Sequence, residues 1–343
     1  MRDYRQFYIN GNWQSAENRD VIDVINPAKE EVAGHIAAGQ PSDVDAAVQA
    51  AQAAFQSFSQ TNRKTRIDLL SRICEVYQKR QDDIAAAITE EMGAPGWLAG
   101  DYQAKSGYGH LKTALNVLKD FEFDKTYANH TERYEPIGVC GLITPWNWPM
   151  NQIACKLAPA LATGNTVVWK PSEVAPFSAK ILMEVLHEAG VPAGVVNMIH
   201  GDGPTVGSAI SKHPDIAMVS FTGSTRAGIE VAKDAANSIK RVTQELGGKS
   251  ANIILDDLST EQFAKAVAGG AKALCLNSGQ NCNAPSRLFV PIARQEEAED
   301  IIKKTLEKIH VGDPTSATTF TGPVVSESPV SYTHLTLPTK PSG

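Results

Sequence analysis

Short apolar runs and amphipathic stretches alternate along this chain, and the hydrophobic period switches between that of a strand and that of a helix. Phe7-Tyr8-Ile9 and Val21-Ile22-Asp23-Val24-Ile25 are β-rich and are broken by Asn10-Gly11-Asn12 and Asn26-Pro27, so residues 2–40 read as short strands and turns. Ser42 is expected to cap a helix whose apolar positions are Val44, Ala47, Val48, Ala51, Phe55 and Phe58. A second helix is predicted from Arg63 to Met92, with Ile67, Leu70, Ile73, Tyr77, Ile84 and Ile88 on one side, stopped by Gly93-Ala94-Pro95-Gly96. A third runs from Trp97 to Lys119. The aromatic residues and methionines of these helices fit a core, and the region reads as scaffold.

From Gly138 the texture changes. Strands are predicted at 138–143, 166–169, 195–199, 216–221 and 241–244. Helices fall between them at 149–161, 175–189, after Pro204, and at 225–236. Short apolar strands alternating with helices imply parallel βαβ units, an α/β fold of Rossmann-like type. Right-handed crossovers then place the loops after all these strands on one edge, where a ligand is expected. A second α/β region begins at about residue 246, with strands at 253–255 and 287–291 and helices at 259–276 and 293–309.

Composition narrows the function. The chain has 343 residues, 42% of them hydrophobic, and a net charge of −6 without long single-sign runs. That leaves no basic footprint for nucleic acid. No apolar run is long enough to span a bilayer, and the start lacks the layout of a signal peptide. Five cysteines, with no C-x-x-C pair, argue against a disulfide framework and a Cys-rich metal site. His187-Glu188 begins like a zincin helix, but Val191 stands where the second histidine is required. The expectation is a cytoplasmic protein with no metal, no nucleic-acid partner and no membrane partner.

Cys282 is the candidate for chemistry. It lies in Ser278-Gly279-Gln280-Asn281-Cys282-Asn283, a polar turn rather than an apolar strand or helix. A lone loop cysteine is more often incidental than catalytic, so the surroundings must decide. The predicted ligand edge carries Thr144-Pro145-Trp146-Asn147-Trp148-Pro149, Lys170-Pro171-Ser172-Glu173, Gly201 to Gly207, and Thr222-Gly223-Ser224. None has G-x-G-x-x-G spacing. Glycine lets backbone N–H groups approach a pyrophosphate, a helix start favours its charge, and a glutamate can bind both ribose hydroxyls. Taken singly, Lys170 and Glu173 fit a surface ion pair.

Together these pieces resemble the aldehyde dehydrogenase superfamily over residues 7–327. The likeness rests on Pro145 to Pro149, Lys170 to Glu173, Phe221 to Ser224, Glu245-Leu246-Gly247-Gly248-Lys249, and Gly279 to Cys282. The resemblance implies a Rossmann-like cofactor domain with its helical scaffold over 1–245 and the start of a catalytic domain over 246–327. It implies NAD-dependent oxidation of an aldehyde to an acid, with Cys282 as nucleophile, Glu245 as general base and Asn147 as oxyanion donor. Ile143, Thr144, Pro145, Trp146, Lys170, Ser172, Glu173, Gly203, Gly207, Phe221, Thr222, Gly223, Ser224, Leu246 and Gly247 would hold the cofactor. Trp148, Asn151, Gln152, Asn281 and Asn283 would line the approach of the aldehyde. Glu173 would repel a 2′-phosphate, so NAD is expected over NADP. The family also implies a homo-dimer or homo-tetramer. A papain-like hydrolase would need a histidine partner, and none of the eight histidines lies in a motif.

Residues 328–343 depart from the family pattern. Val330-Ser331-Tyr332-Thr333-His334-Leu335-Thr336-Leu337-Pro338-Thr339 has no family counterpart and reads as a translated transposase adapter from library preparation. The expectation is therefore an artefactual tail on a shortened catalytic domain, with an inactive or merely nucleotide-binding chain as the alternative function.

Overall fold

The computed structural model describes residues 1–327, and the expected tail lies outside the described residues. Five strands open the chain: β1 (Arg2–Tyr4), β2 (Gln6–Ile9), β3 (Asn12–Ser15), β4 (Val21–Asn26) and β5 (Glu31–Ala37). Helices α1 (Pro41–Phe58), α2 (Arg63–Lys79) and α3 (Gln81–Met92) follow, then the single turn α4 (Gly96–Leu98), a π-helical stretch Ala99–Ala104, and α5 (Lys105–Asp120). An exposed hairpin, β6 (Asp124–Thr126) and β7 (Thr131–Arg133), leads out of them.

The α/β region is β8 (Val139–Ile143), α6 (Pro149–Ala162), β9 (Thr166–Lys170), α7 (Pro176–Glu188), β10 (Val196–Met198), α8 (Ser208–Lys212), β11 (Met218–Gly223), α9 (Thr225–Ala236) and β12 (Arg241–Leu246). Its seven-stranded sheet has the order β12-β11-β8-β9-β10-β2-β3. The first five of these are mutually parallel, as the alternation of strands and helices predicts. β8 and β9 are buried along their whole length, since helices cover both faces. One difference lies at the far edge, where β2 pairs antiparallel with β10 and carries β3 with it. Alternation marks a strand but not its partner, so the opening hairpin read as scaffold rather than as sheet.

Three helix boundaries also differ from the reading of the sequence. The helix predicted over 63–92 breaks at Arg80 (φ −106°, ψ 6°), whose guanidinium bonds Asp83 and Glu184. The helix predicted from Trp97 is regular only from Lys105, after the π-helical stretch. Helix α1 begins at Pro41 rather than after Ser42, and the Asp43 carboxylate turns back to accept the Gln40 N–H at 2.8 Å.

Past β12 come β13 (Ala251–Ile253), α10 (Thr260–Cys275), β14 (Arg287–Phe289) and α11 (Gln295–Leu306). β13 and β14 pair in parallel. Their inward residues face a small core of Ile254, Phe263, Val267 and Ala298, with Leu288 packed beside it. On the other face Ile253 and Phe289, directly paired, are 67% and 49% exposed. The two larger cores lie within residues 7–231 and enclose Tyr77, Trp169 and Phe177.

Candidate active site

Cys282 follows three consecutive left-handed residues, Asn277, Ser278 and Gly279, with φ of 54°, 57° and 75°. Glycine adopts this conformation freely; for Asn and Ser it costs free energy that the surroundings must offset. The offset is visible in hydrogen bonds. Ser278 Oγ donates to the Gly322 and Pro323 carbonyls at 2.9 and 3.3 Å, and Asn281 Nδ2 to the Leu276 carbonyl at 2.8 Å. Gln280 Oε1 accepts the Val325 N–H at 2.9 Å. The loop therefore leaves α10 by a fixed path and presents Cys282 exposed, while Cys74 and Cys140 are buried. Burial pushes the Cys140 thiol up to about 12, and it also raises Cys74, Cys155 and Cys275.

Asn147, at the end of the loop after β8, reaches this cysteine loop directly. Its Nδ2 donates to the Gln280 carbonyl at 2.9 Å, and its buried Oδ1 has no partner among the described residues. Trp148 Nε1 donates to Asn281 Oδ1, so two consecutive residues of one loop grip two of the other. Pro149 then starts α6, on whose first turns Asn151 and Gln152 lie. Asn283 is exposed beside the cysteine.

Glu245 is exposed on the edge strand β12, opposite Thr222 of β11. Three residues on, a Cβ placed on Gly248 would lie 3.7 Å from the Cys282 carbonyl oxygen, so the segment after Glu245 runs against the cysteine loop. Glu245 also acts on α6. Its charge raises both Cys155 and Lys156, although burial outweighs it at Lys156 and lowers that ammonium overall. Lys156 Nζ donates to Ser220 Oγ at 3.1 Å. Reading the sequence missed Lys156, because a lysine within an amphipathic helix looks like any solvated position.

The expected cofactor residues line the C-terminal edge of the sheet. Ile143 and Thr144 are buried at the end of β8, where Thr144 Oγ1 accepts the Trp169 Nε1 proton at 2.9 Å; Pro145 and Trp146 are half-buried beyond them. Lys170 is 3% exposed, and its ammonium donates to the Pro171 carbonyl, the Gly201 carbonyl and Glu173 Oε2 at 2.9, 2.7 and 3.0 Å. The ion pair exists, but it is built into the edge rather than lying on the surface. Ser172 Oγ accepts the Val174 N–H at 3.2 Å. Gly203 opens a π-helical turn with clear space where a side chain would stand, and Gly207 packs on Ile143. Phe221 is buried, and a Cβ on Gly223 would come 2.5 Å from its ring. Ser224 caps α9 by accepting the Ala227 N–H at 3.2 Å. Leu246 is half-buried and Gly247 exposed, with open space beside it. Thr222 Oγ1 is buried with no partner among the described residues. An unpartnered hydroxyl, two uncrowded glycines, a capped helix start and a fixed Lys–Glu pair suit a dinucleotide laid along this edge. Among the described residues no group of three or more His, Cys, Asp or Glu could hold a metal ion, and no helix is long and apolar enough to cross a membrane.

The profile of the aldehyde dehydrogenase family matches residues 13–335. A 3-succinoylsemialdehyde-pyridine dehydrogenase from a Pseudomonas species is 50% identical over 327 residues, which are 95% of this chain and 68% of that protein. A crystal structure of an aldehyde dehydrogenase C variant from Pseudomonas syringae, in complex with NAD+ and octanal, superposes with a TM-score of 0.92 at 46% identity, covering 94% of this chain and 66% of that one. An aldehyde dehydrogenase from Bartonella henselae superposes equally well, at 44% identity over 96% of this chain and 69% of that one. The chain thus spans about two thirds of the length of these relatives.

Proposed function

The chain belongs to the aldehyde dehydrogenase family, and from that premise we propose that it oxidises an aldehyde to a carboxylic acid with NAD. The observation that carries the reading is the joining of two loops. Asn147 Nδ2 bonds the Gln280 carbonyl, two residues before an exposed cysteine, and the segment after Glu245 passes the same cysteine. A thiolate is a strong nucleophile near neutral pH, and its addition to an aldehyde makes a tetrahedral thiohemiacetal. The second Nδ2 proton of Asn147 and the Cys282 N–H would stabilise the oxyanion, each such donor being worth about 10²–10³ in rate.

NAD would lie over Lys170, Glu173, Gly203, Thr222 and the start of α9, and when bound there it would accept the hydride that the thiohemiacetal carbon loses, which leaves that carbon as a thioester on Cys282. Glu245 then takes a proton from water, which attacks the thioester carbon; the carbon–sulfur bond breaks and the acid leaves. Glu173 at the ribose favours NAD over NADP. In keeping with the family resemblance, the reading includes a cytoplasmic homo-dimer or homo-tetramer.

The test is a burst measurement at 340 nm with a panel of aldehydes that includes octanal. Glu245→Gln should keep a first-turnover burst of NADH and lose steady acid production, whereas Cys282→Ser should lose both. Loss of the burst in Glu245→Gln would overturn the base assignment. A wild-type chain that binds NAD but forms no NADH would favour the nucleotide-binding reading.

A further inference from the structure

Beneath the cysteine loop lies a polar cluster that the proposed chemistry does not use. Gln103, in the π-helical stretch, and Asn277 are both buried. Gln103 Nε2 donates to Asn277 Oδ1 at 3.1 Å. Asn277 Nδ2 donates to the Asn147 carbonyl at 2.9 Å and to the Gln280 carbonyl at 3.4 Å. The Asn277 carbonyl accepts both the backbone N–H and Nε2 of Gln280, each at 3.0 Å. One amide therefore joins three segments far apart in sequence: the π-helical stretch, the loop after β8 and the loop of the nucleophile. Burying an amide is unfavourable unless its donors and acceptor are satisfied; those of Asn277 all are, while Gln103 Oε1 is buried without a partner among the described residues. π-Helical insertions recur at functional sites, which suits the place of Gln103.

We propose that Asn277 is a positioning residue for the reaction at Cys282, acting through Asn147 and Gln280. The proposal rests on the aldehyde-oxidising reading above. The Gln280 carbonyl accepts from both Asn277 and Asn147. Holding one proton of the Asn147 amide there fixes the direction of the other, the one available to an oxyanion. Holding the carbonyl itself fixes the peptide plane that leads into Asn281, and so the aim of the Cys282 N–H. Misplacement by about 1 Å at such a site costs on the order of 10²-fold in rate.

The experiment compares Asn277→Ala and Gln103→Met, each alone and combined with Asn147→Ala. Asn277→Ala is expected to slow the NADH burst about 10- to 100-fold, with the KM for NAD within about twofold. Added to Asn147→Ala, it should cost less than about threefold more, because both act on one interaction. Losses that multiply, or a rise confined to the KM for NAD, would overturn the proposal. If Asn277→Ala does not fold, Gln103→Met decides: a smaller slowing of the same burst supports the proposal, and an unchanged burst rejects it. A second readout needs no turnover. Alkylation of Cys282 by iodoacetamide, followed by peptide mass spectrometry, should change severalfold in rate at unchanged Tm. If the wild type forms no NADH, the functional reading fails, yet an unchanged alkylation rate in the variants still refutes the positioning role.

Discussion

Glu91 shows how one residue can govern a distant loop. It lies fully buried on α3, and its carboxylate accepts the Phe177 N–H at 2.5 Å, the Ser178 N–H at 3.1 Å and the Ser178 hydroxyl at 2.5 Å. Those N–H groups belong to the first turn of α7, which no hydrogen bond from its own N-cap side chain closes. A glutamate 86 residues away therefore caps the helix that follows Lys170–Glu173. Burial pushes Glu91 up to about 7 from 4.5, although the three donors pull the other way. The folded chain thus holds this proton more tightly than the unfolded chain. The stability it contributes is complete below 4.5 and is lost as pH rises through about 7. Glu91→Gln should flatten this decline, which amounts to roughly 3 kcal/mol between those limits. Urea midpoints measured from pH 4 to 8 would show it, and an unaltered slope would assign the decline to other groups. Cys282, Asn147 and Glu245 could be nominated as candidates from the sequence because each stands in a dense local motif. Glu91, Gln103 and Asn277 could not, because the partners that tie them to other segments lie 86 to 174 residues away.

At the scale of elements, the same division holds between local and distant causes. Helix α9, bounded by Ser224 and free of tertiary surprises, was predicted residue for residue. The break at Arg80 had no glycine or proline to announce it, and the apolar stripe runs on through it; on either side of it α2 packs on α5 and α3 on α7, and Arg80 bonds Glu184 of α7 at 3.1 Å. The strap over the cysteine loop is another element that no local pattern reveals. Residues 322–325 bond Ser278 and Gln280 from above, and Gly322 lies so close to the end of α3 that an added Cβ would come 2.0 Å from the Gly93 carbonyl. Backbone against backbone leaves neither side room to yield. Gly322→Ala should cost about 2 kcal/mol or more, and it should speed amide exchange in residues 276–283 ahead of the rest of the chain. Uniform exchange across the molecule would show that the strap does not hold the loop.

For the molecule as a whole, the distribution of buried surface matters more than its total. The large cores gather most of the buried side chains, whereas among the described residues the β13–β14 layer rests on four buried residues and leaves Ile253 and Phe289 exposed. Parallel sheets are ordinarily covered on both faces, and among the described residues this pair is packed on one face only. Cys282 sits in the crossover between those two strands, residues 254–286. One side of its loop is tied to the large cores through Asn147 and Gln103, and the other leads into the weakly covered sheet. Heating should therefore separate two events that most small domains combine. Residual activity, assayed after brief incubation, should fall with a midpoint several degrees below the calorimetric transition, and coincident midpoints would refute this. Cys282, the proposed nucleophile, is mounted across a seam between the densely and the sparsely packed parts of the described fold, so the chain would forget its chemistry before it forgets its shape.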